Sequence, residues 1–206
     1  MTGHDALEQL LRAGLPGAMD APPDLTEVAA EAGLLDVAYA TMDTAVGRLL
    51  LACTPQGLVR IDYLEGNQED ERLADLARRV SPRVLAAPRK LDRARRELDE
   101  YLEGRRRAFE LALDQRLMSD FGRRVLAATA AIPYGATSTY RDVATRAGSP
   151  RGSRAAGNAL GANPLPIVLP CHRVLHSGGG LGGYTGGLDR KRTLLAIEQG
   201  QAPLPV

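Results

Sequence analysis

The charges of this 206-residue chain are sorted along its length. Residues 115–206 carry eleven basic and four acidic side chains, a net of +7, while residues 1–114 carry fifteen and twenty-one, a net of −6. The total of +1 argues at face value against a nucleic-acid partner. The partition reverses that argument, because a polyanion meets the local charge rather than the sum. Two units meeting near Asp114 are therefore expected, and at 22.0 kDa each half is large enough to bury a core. Two surfaces of opposite sign attracting each other across a domain interface would leave the same pattern. Charge alone does not choose between them.

Other classes fall away quickly. Hydrophobic residues make up 44% of the chain, yet no apolar run approaches the roughly 18 residues of a membrane span. Met1-Thr2-Gly3-His4-Asp5 lacks the basic and then apolar pattern of a secretory signal. Cys53 and Cys171 cannot build a disulfide scaffold, so a reducing cytoplasm is the expected location. Two cysteines and three histidines show no zinc-ligand spacing, and no metal is expected.

In the acidic half, weak helical signals over 5–13 and 25–34 flank a proline-rich break. Strand-like runs follow at 37–41, 47–53 and 58–63, separated by turn residues at meander spacing. Helical periodicity covers 69–80 and 91–102, and 84–86 and 109–113 read as edge strands. The pattern predicts an α+β domain over 36–114 whose role is support, preceded by an extension, 1–35, of unknown role. Cys53, in an apolar strand, reads as an inert core residue.

The basic half, 115–206, predicts helices at 121–131, 141–146, 151–162 and 188–199. Ser149 is placed to cap the third, with Pro150 in its first turn. The middle pair, joined through Ala147-Gly148, fits a helix-turn-helix as well as an ordinary helical corner. The third helix opens with Gly152, Ser153, Arg154, Ala155, Ala156 and Gly157. A major-groove reader needs several long polar side chains, and here Arg154 stands alone among small ones. Such a face suits close approach to a minor groove, or to a neighbouring helix. Beyond Asn163-Pro164-Leu165-Pro166, the run Ile167-Val168-Leu169 reads as a buried strand ending in Pro170-Cys171-His172-Arg173-Val174. A glycine-rich loop over 177–187 follows, with Tyr184 as its large polar residue.

These residues resemble one family. Asn163-Pro164, Pro170-Cys171-His172-Arg173-Val174, Tyr184 with Gly186-Gly187, Lys191 and Leu194-Leu195 through Glu198 are similar to the O6-alkylguanine-DNA alkyltransferases. Pro133-Tyr134-Gly135, Tyr140 and Arg154 match in order and spacing. The likeness is dense over 118–200 and weaker over 37–113. It implies a ribonuclease-H-like N-terminal domain and an all-helical, winged-helix-like DNA-binding domain. Some members carry a structural zinc, for which this chain lacks the cysteines.

The resemblance also implies a chemistry. The methyl of O6-methylguanine, and by extension of O4-methylthymine, passes irreversibly to Cys171 without a cofactor. A thiolate can displace carbon from guanine oxygen, and a thiol cannot. Cys171 and His172 are adjacent, so in an extended segment they face opposite sides and a water becomes the natural relay. Glu198 would hold the imidazole. The target nucleotide must leave the stack; by resemblance Tyr140 rotates it, Arg154 fills the gap, and Gly152, Ser153, Ala155 and Gly157 meet the minor groove. Asn163 braces the cysteine loop. The Cys171 and Val174 carbonyls would accept the guanine amino group, and Tyr184 and the Thr185 amide would stabilise its oxygen. Pro166 and Lys191 would complete the pocket, with a structural or phosphate role for Lys191 as the alternative. The expected partner is double-stranded DNA carrying O6-alkylguanine, met by a monomer able to assemble cooperatively on it, with no membrane involved. Tyr134 and Phe121 are read as packing, and His4 and His176 are given no role. A non-repairing lesion sensor or helix-turn-helix regulator is the alternative, and a cysteine hydrolase would need a histidine facing the thiol.

Overall fold

A computed structural model describes residues 35–201, so the helices expected at 5–13 and 25–34 lie outside the described residues. Strands β1 (Val37–Thr44), β2 (Gly47–Thr54) and β3 (Gly57–Tyr63) form the expected antiparallel meander. Helix α1 (Glu69–Arg79) crosses to β4 (Val84–Ala86), which pairs parallel to β1, giving the order β3-β2-β1-β4. A 3-10 turn, Pro88–Leu91, leads into α2 (Asp92–Leu102). The run 109–113 does not become a strand. It makes one bridge, Leu58 with Leu113, because Leu58 bonds only Ala112 and Asp114 there.

Strand periodicity divides the β2 side chains between two faces. Leu50 and Ala52 pack with Val37, Val59 and Leu76 of α1, whereas Leu49 and Leu51 face α2 and the C-terminal half. That second cluster runs without a break from Met42 and Leu98 through Val125, Val143, Leu165 and Leu194. The acidic and basic halves therefore share one core.

The C-terminal half carries α3 (Asp120–Ala130), α4 (Tyr140–Arg146), α5 (Ser153–Gly161) and α6 (Leu188–Glu198). Ser119 caps α3 through the Gly122 amide and Thr139 caps α4 through the Asp142 amide. Helix α5 begins later than its sequence suggests. Ser149 and Pro150 form a turn closed by Gly152 N to Ser149 O, 2.8 Å, and the helix starts at Ser153. The half is helical apart from β5 (Ser138–Thr139) paired with β6 (Val174–Leu175).

The expected strand over 167–169 is a turn. Ile167 takes φ +72°, a conformation that costs a β-branched residue about 1–3 kcal/mol. Burial of its side chain to 1% exposure and the bond from Leu169 N to Leu165 O, 2.9 Å, hold it there.

Candidate active site

The turn delivers Pro170 and then Cys171–Arg173 as a single 3-10 turn, rather than an extended segment. Cys171 is 5% exposed and borders a cavity of about 660 Å³, shared with Tyr140, Arg154, Asn158 and Tyr184. Asn163 fixes the sulfur. Its amide nitrogen donates to the Leu169 carbonyl at 2.9 Å and to Cys171 Sγ at 3.2 Å, while its oxygen accepts from Leu165 N at 3.0 Å. Burial pushes the Cys171 thiol up, against the Asn163 hydrogen bond and the nearby Lys191 charge, which favour the thiolate.

Behind the cysteine lies a closed polar cluster. His172 Nε2 is 2.7 Å from Glu198 Oε1, and both side chains are fully buried. Tyr101 donates its hydroxyl hydrogen to the same carboxylate oxygen. Arg173 Nε lies 3.0 Å from each Glu198 oxygen, and the Gly135 amide donates to Oε2 at 2.9 Å. Burial opposes the Glu198 charge, yet the His172 and Arg173 hydrogen bonds draw its pKa down to about 2. Burial holds the His172 imidazole below its ordinary value although Glu198 pulls the other way. With Nε2 committed to Glu198, the other ring nitrogen, Nδ1, is buried without a protein partner. A neutral imidazole so held has Nδ1 free to take a proton.

Arg154 lines the cavity, and the helices beside it carry further cations. Arg141, Arg146, Arg151 and Arg154, on α4, α5 and their junction, are exposed, and none has a salt-bridge partner among the described residues. Arg190 does cross the charge boundary, to Glu65 at 2.9 Å, so the two accounts of the charge partition each hold at different residues.

Comparison with known proteins decides the kinship. A family model described as the 6-O-methylguanine DNA methyltransferase DNA binding domain matches residues 120–200, and one for its ribonuclease-like domain matches 37–115. The chain belongs to the 6-O-methylguanine DNA methyltransferase family. A methylated-DNA–protein-cysteine methyltransferase of Mycolicibacterium paratuberculosis is 40% identical over 167 residues, 81% of this chain and 95% of the relative. One from Methanosarcina barkeri is 38% identical over 161 residues, 78% and 96% of the two chains. The structure of Mycobacterium tuberculosis OGT in complex with DNA matches at a TM-score of 0.70 and 36% identity, over 82% of this chain and 96% of that one. The architecture of this methyltransferase family, a ribonuclease-like domain followed by a DNA-binding domain, is thus that of this chain.

Within this family fold the structure brings Cys171, Tyr140, Ser153, Arg154, Gly157, Tyr184 and Thr185 to one cavity. Gly152 precedes α5, and Ala155 is exposed on it. Lys191, Val174 and Pro166, expected in the pocket, do not border this cavity. Lys191 is wholly buried and donates to the Val174 carbonyl at 2.7 Å and to the Leu181 carbonyl, because its long stem reaches inward from α6. Burial lowers its pKa to about 8, against the pull of the Cys171 sulfur. The Val174 carbonyl therefore already accepts an ammonium proton. Pro166 is buried and lines a neighbouring cleft with Arg60, Arg72, Asn163 and Thr185. Cys53 is half-buried rather than a core residue, with Sγ 3.8 Å from the Lys90 carbonyl.

Other residues at the site had no assigned role. Asn158 follows Arg154 by one helical turn, so its place on the cavity wall was available from helical spacing. His176 lies at the mouth against Tyr140, ring centroids 5.1 Å apart. Tyr101 and Tyr63 come from the half expected only to support. No local pattern marks either one.

Proposed function

We propose that this chain removes the alkyl group from O6-alkylguanine, and from O4-methylthymine, in duplex DNA by transferring it irreversibly to Cys171. The observation that carries this reading is the buried Cys171 sulfur on a cavity wall, hydrogen-bonded by Asn163 and followed in the chain by a Glu198-anchored imidazole. The proton leaves Cys171 toward His172 Nδ1, with a water between them. The thiolate then attacks the alkyl carbon, an S–C bond forms, and the C–O6 bond breaks with its electron pair left on guanine. The thioether has no acid-base route back to a thiol, so one molecule repairs one lesion.

DNA is met through the minor groove. Gly152, Ser153, Ala155 and Gly157 present little bulk, the free arginines meet phosphates, and Arg154 occupies the space of the flipped nucleotide. Tyr140, whose hydroxyl lies 3.4 Å from the Gly183 carbonyl, stands where the rotated nucleotide would enter. The Glu198, His172 and Cys171 set is complete within one chain, which supports action as a monomer.

The test is intact mass after incubation with an oligonucleotide duplex containing O6-methylguanine. A stoichiometric gain of one methyl, absent in Cys171→Ser, is expected. Unchanged mass together with tight lesion binding would overturn the proposal in favour of a non-repairing sensor.

A further inference from the structure

Tyr63, the last residue of β3, carries a phenol from the supporting domain to Tyr184, which lines the cavity beside Cys171. Its hydroxyl lies 2.8 Å from that of Tyr184. The ring is 8% exposed and meets Tyr184 edge to face, with centroids 6.1 Å apart. Gly186 makes this approach possible, since a Cβ there would stand 2.5 Å from the Tyr63 ring and 2.9 Å from the Tyr184 ring. Over the other ring system lies a cation. The Arg190 guanidinium is 4.8 Å from the Tyr63 centroid and is itself held by the carbonyls of Val46, 2.8 Å, and Gly186, 2.9 Å.

Neither hydroxyl has another hydrogen-bond partner among the described residues. One hydrogen therefore lies between the two oxygens, and the other is free. The surroundings decide which is which. A cation on the Tyr63 face draws density from its oxygen and makes that O–H the stronger donor. Burial and the Cys171 sulfur push both phenols up. The hydrogen bond between them and the Arg190 charge pull Tyr63 down while the same hydrogen bond raises Tyr184, which leaves Tyr63 the stronger acid of the pair. We propose that Tyr63 is a positioning residue for alkyl transfer: it donates to the Tyr184 oxygen and turns the Tyr184 hydrogen toward the oxygen of the substrate.

The proposal rests on Cys171 as alkyl acceptor. As the S–C bond forms and the C–O6 bond breaks, the electron pair remains on O6, where the Tyr184 hydrogen meets it. The proton released by Cys171 to the His172 side returns to the departing guanine, so both tyrosines end as they began. Polarised hydrogen bonding of this kind acts on the transition state and leaves DNA binding alone.

The experiment is single-turnover methyl transfer from an O6-methylguanine duplex to the full chain, with DNA in excess over a range of concentrations. In Tyr63→Phe the saturating rate should fall about tenfold, while the half-saturating DNA concentration stays at the wild-type value and the melting temperature drops by only a few degrees, leaving the chain folded at the assay temperature. In a Tyr184→Phe background the same substitution should cost nothing more, because its effect passes through the Tyr184 hydroxyl. A Tyr63→Phe rate within twofold of wild type, or losses that multiply in the double variant, would overturn the role of Tyr63 alone. Absence of methyl transfer to the wild-type chain would overturn the assignment of Cys171 as well.

Discussion

Replacing Glu198 by Gln keeps the shape of the side chain and removes the charge on which the buried cluster turns. The carboxylate accepts from His172, Tyr101, Arg173 and the Gly135 amide, and its side chain is fully buried while that of Arg173 is 8% exposed. An amide in its place turns an NH2 toward these donors and leaves Arg173 charged in the interior. Two routes to the magnitude agree. Removing one partner of a buried ion pair costs about 3 to 5 kcal/mol. A carboxyl taken from its ordinary 4.5 to about 2 contributes about 3 kcal/mol at neutral pH. The carboxyl is more acidic in the folded chain than in the unfolded one, so the unfolded chain binds the proton first as pH falls. This contribution is complete above about pH 4.5 and drains away as pH drops through about 2. Urea unfolding of the wild type and Glu198→Gln between pH 3 and pH 7.5 measures it directly. The variant should be less stable by about 3 kcal/mol at pH 7.5, and the gap should narrow steadily below pH 4.5. A gap under about 1 kcal/mol at neutral pH, or one unchanged at pH 3, would refute the account of Glu198 as an ionised anchor. Methyl transfer should also slow, since the imidazole loses the carboxylate that holds its Nε2 hydrogen and leaves Nδ1 free to take a proton.

Arg154→Ala should slow methyl transfer from duplex DNA more than from free O6-methylguanine base, and equal losses in the two rate measurements would contradict its place beside the flipped nucleotide. Lys191→Met removes a buried charge that favours the Cys171 thiolate, so the rate of Cys171 alkylation by iodoacetamide should shift to higher pH. Gly182→Ala should slow transfer, because at φ +68° its Cβ would meet the Tyr140 hydroxyl at 2.5 Å; a wild-type single-turnover rate would show that Tyr140 is not needed where it stands. Affinity for undamaged duplex should fall with added salt as the free arginines release phosphate counterions, and a flat titration would remove the α4–α5 face from the DNA contact.

Much of the fold was legible because it follows local rules. Strand-like runs marked β1 to β3, turn residues separated them, and helical spacing placed α1, α2, α3 and α6 to within a residue or two. The errors occur where long-range contacts override local preference. Ile167-Val168-Leu169 has a strand composition, but Leu165, Asn163 and the core bend it into a turn with Ile167 at φ +72°. Ser149-Pro150 has a helix-start composition, but the chain spends those residues on a turn before α5.

By itself the sequence singled out the proposed acceptor thiol, the histidine and glutamate proposed to serve it, the arginine of α5 and the basic half to which they belong. Those residues sit in short motifs whose chemistry is local. Only the tertiary structure decided that Lys191 faces inward to the Val174 carbonyl and that the acidic half reaches the site's residues through Tyr101 and Tyr63. Tyr101 lies 97 residues from Glu198, and Tyr63 lies 121 residues from Tyr184. Contacts at such separations arise from one core packed across two halves, and periodicity within either half carries no record of them.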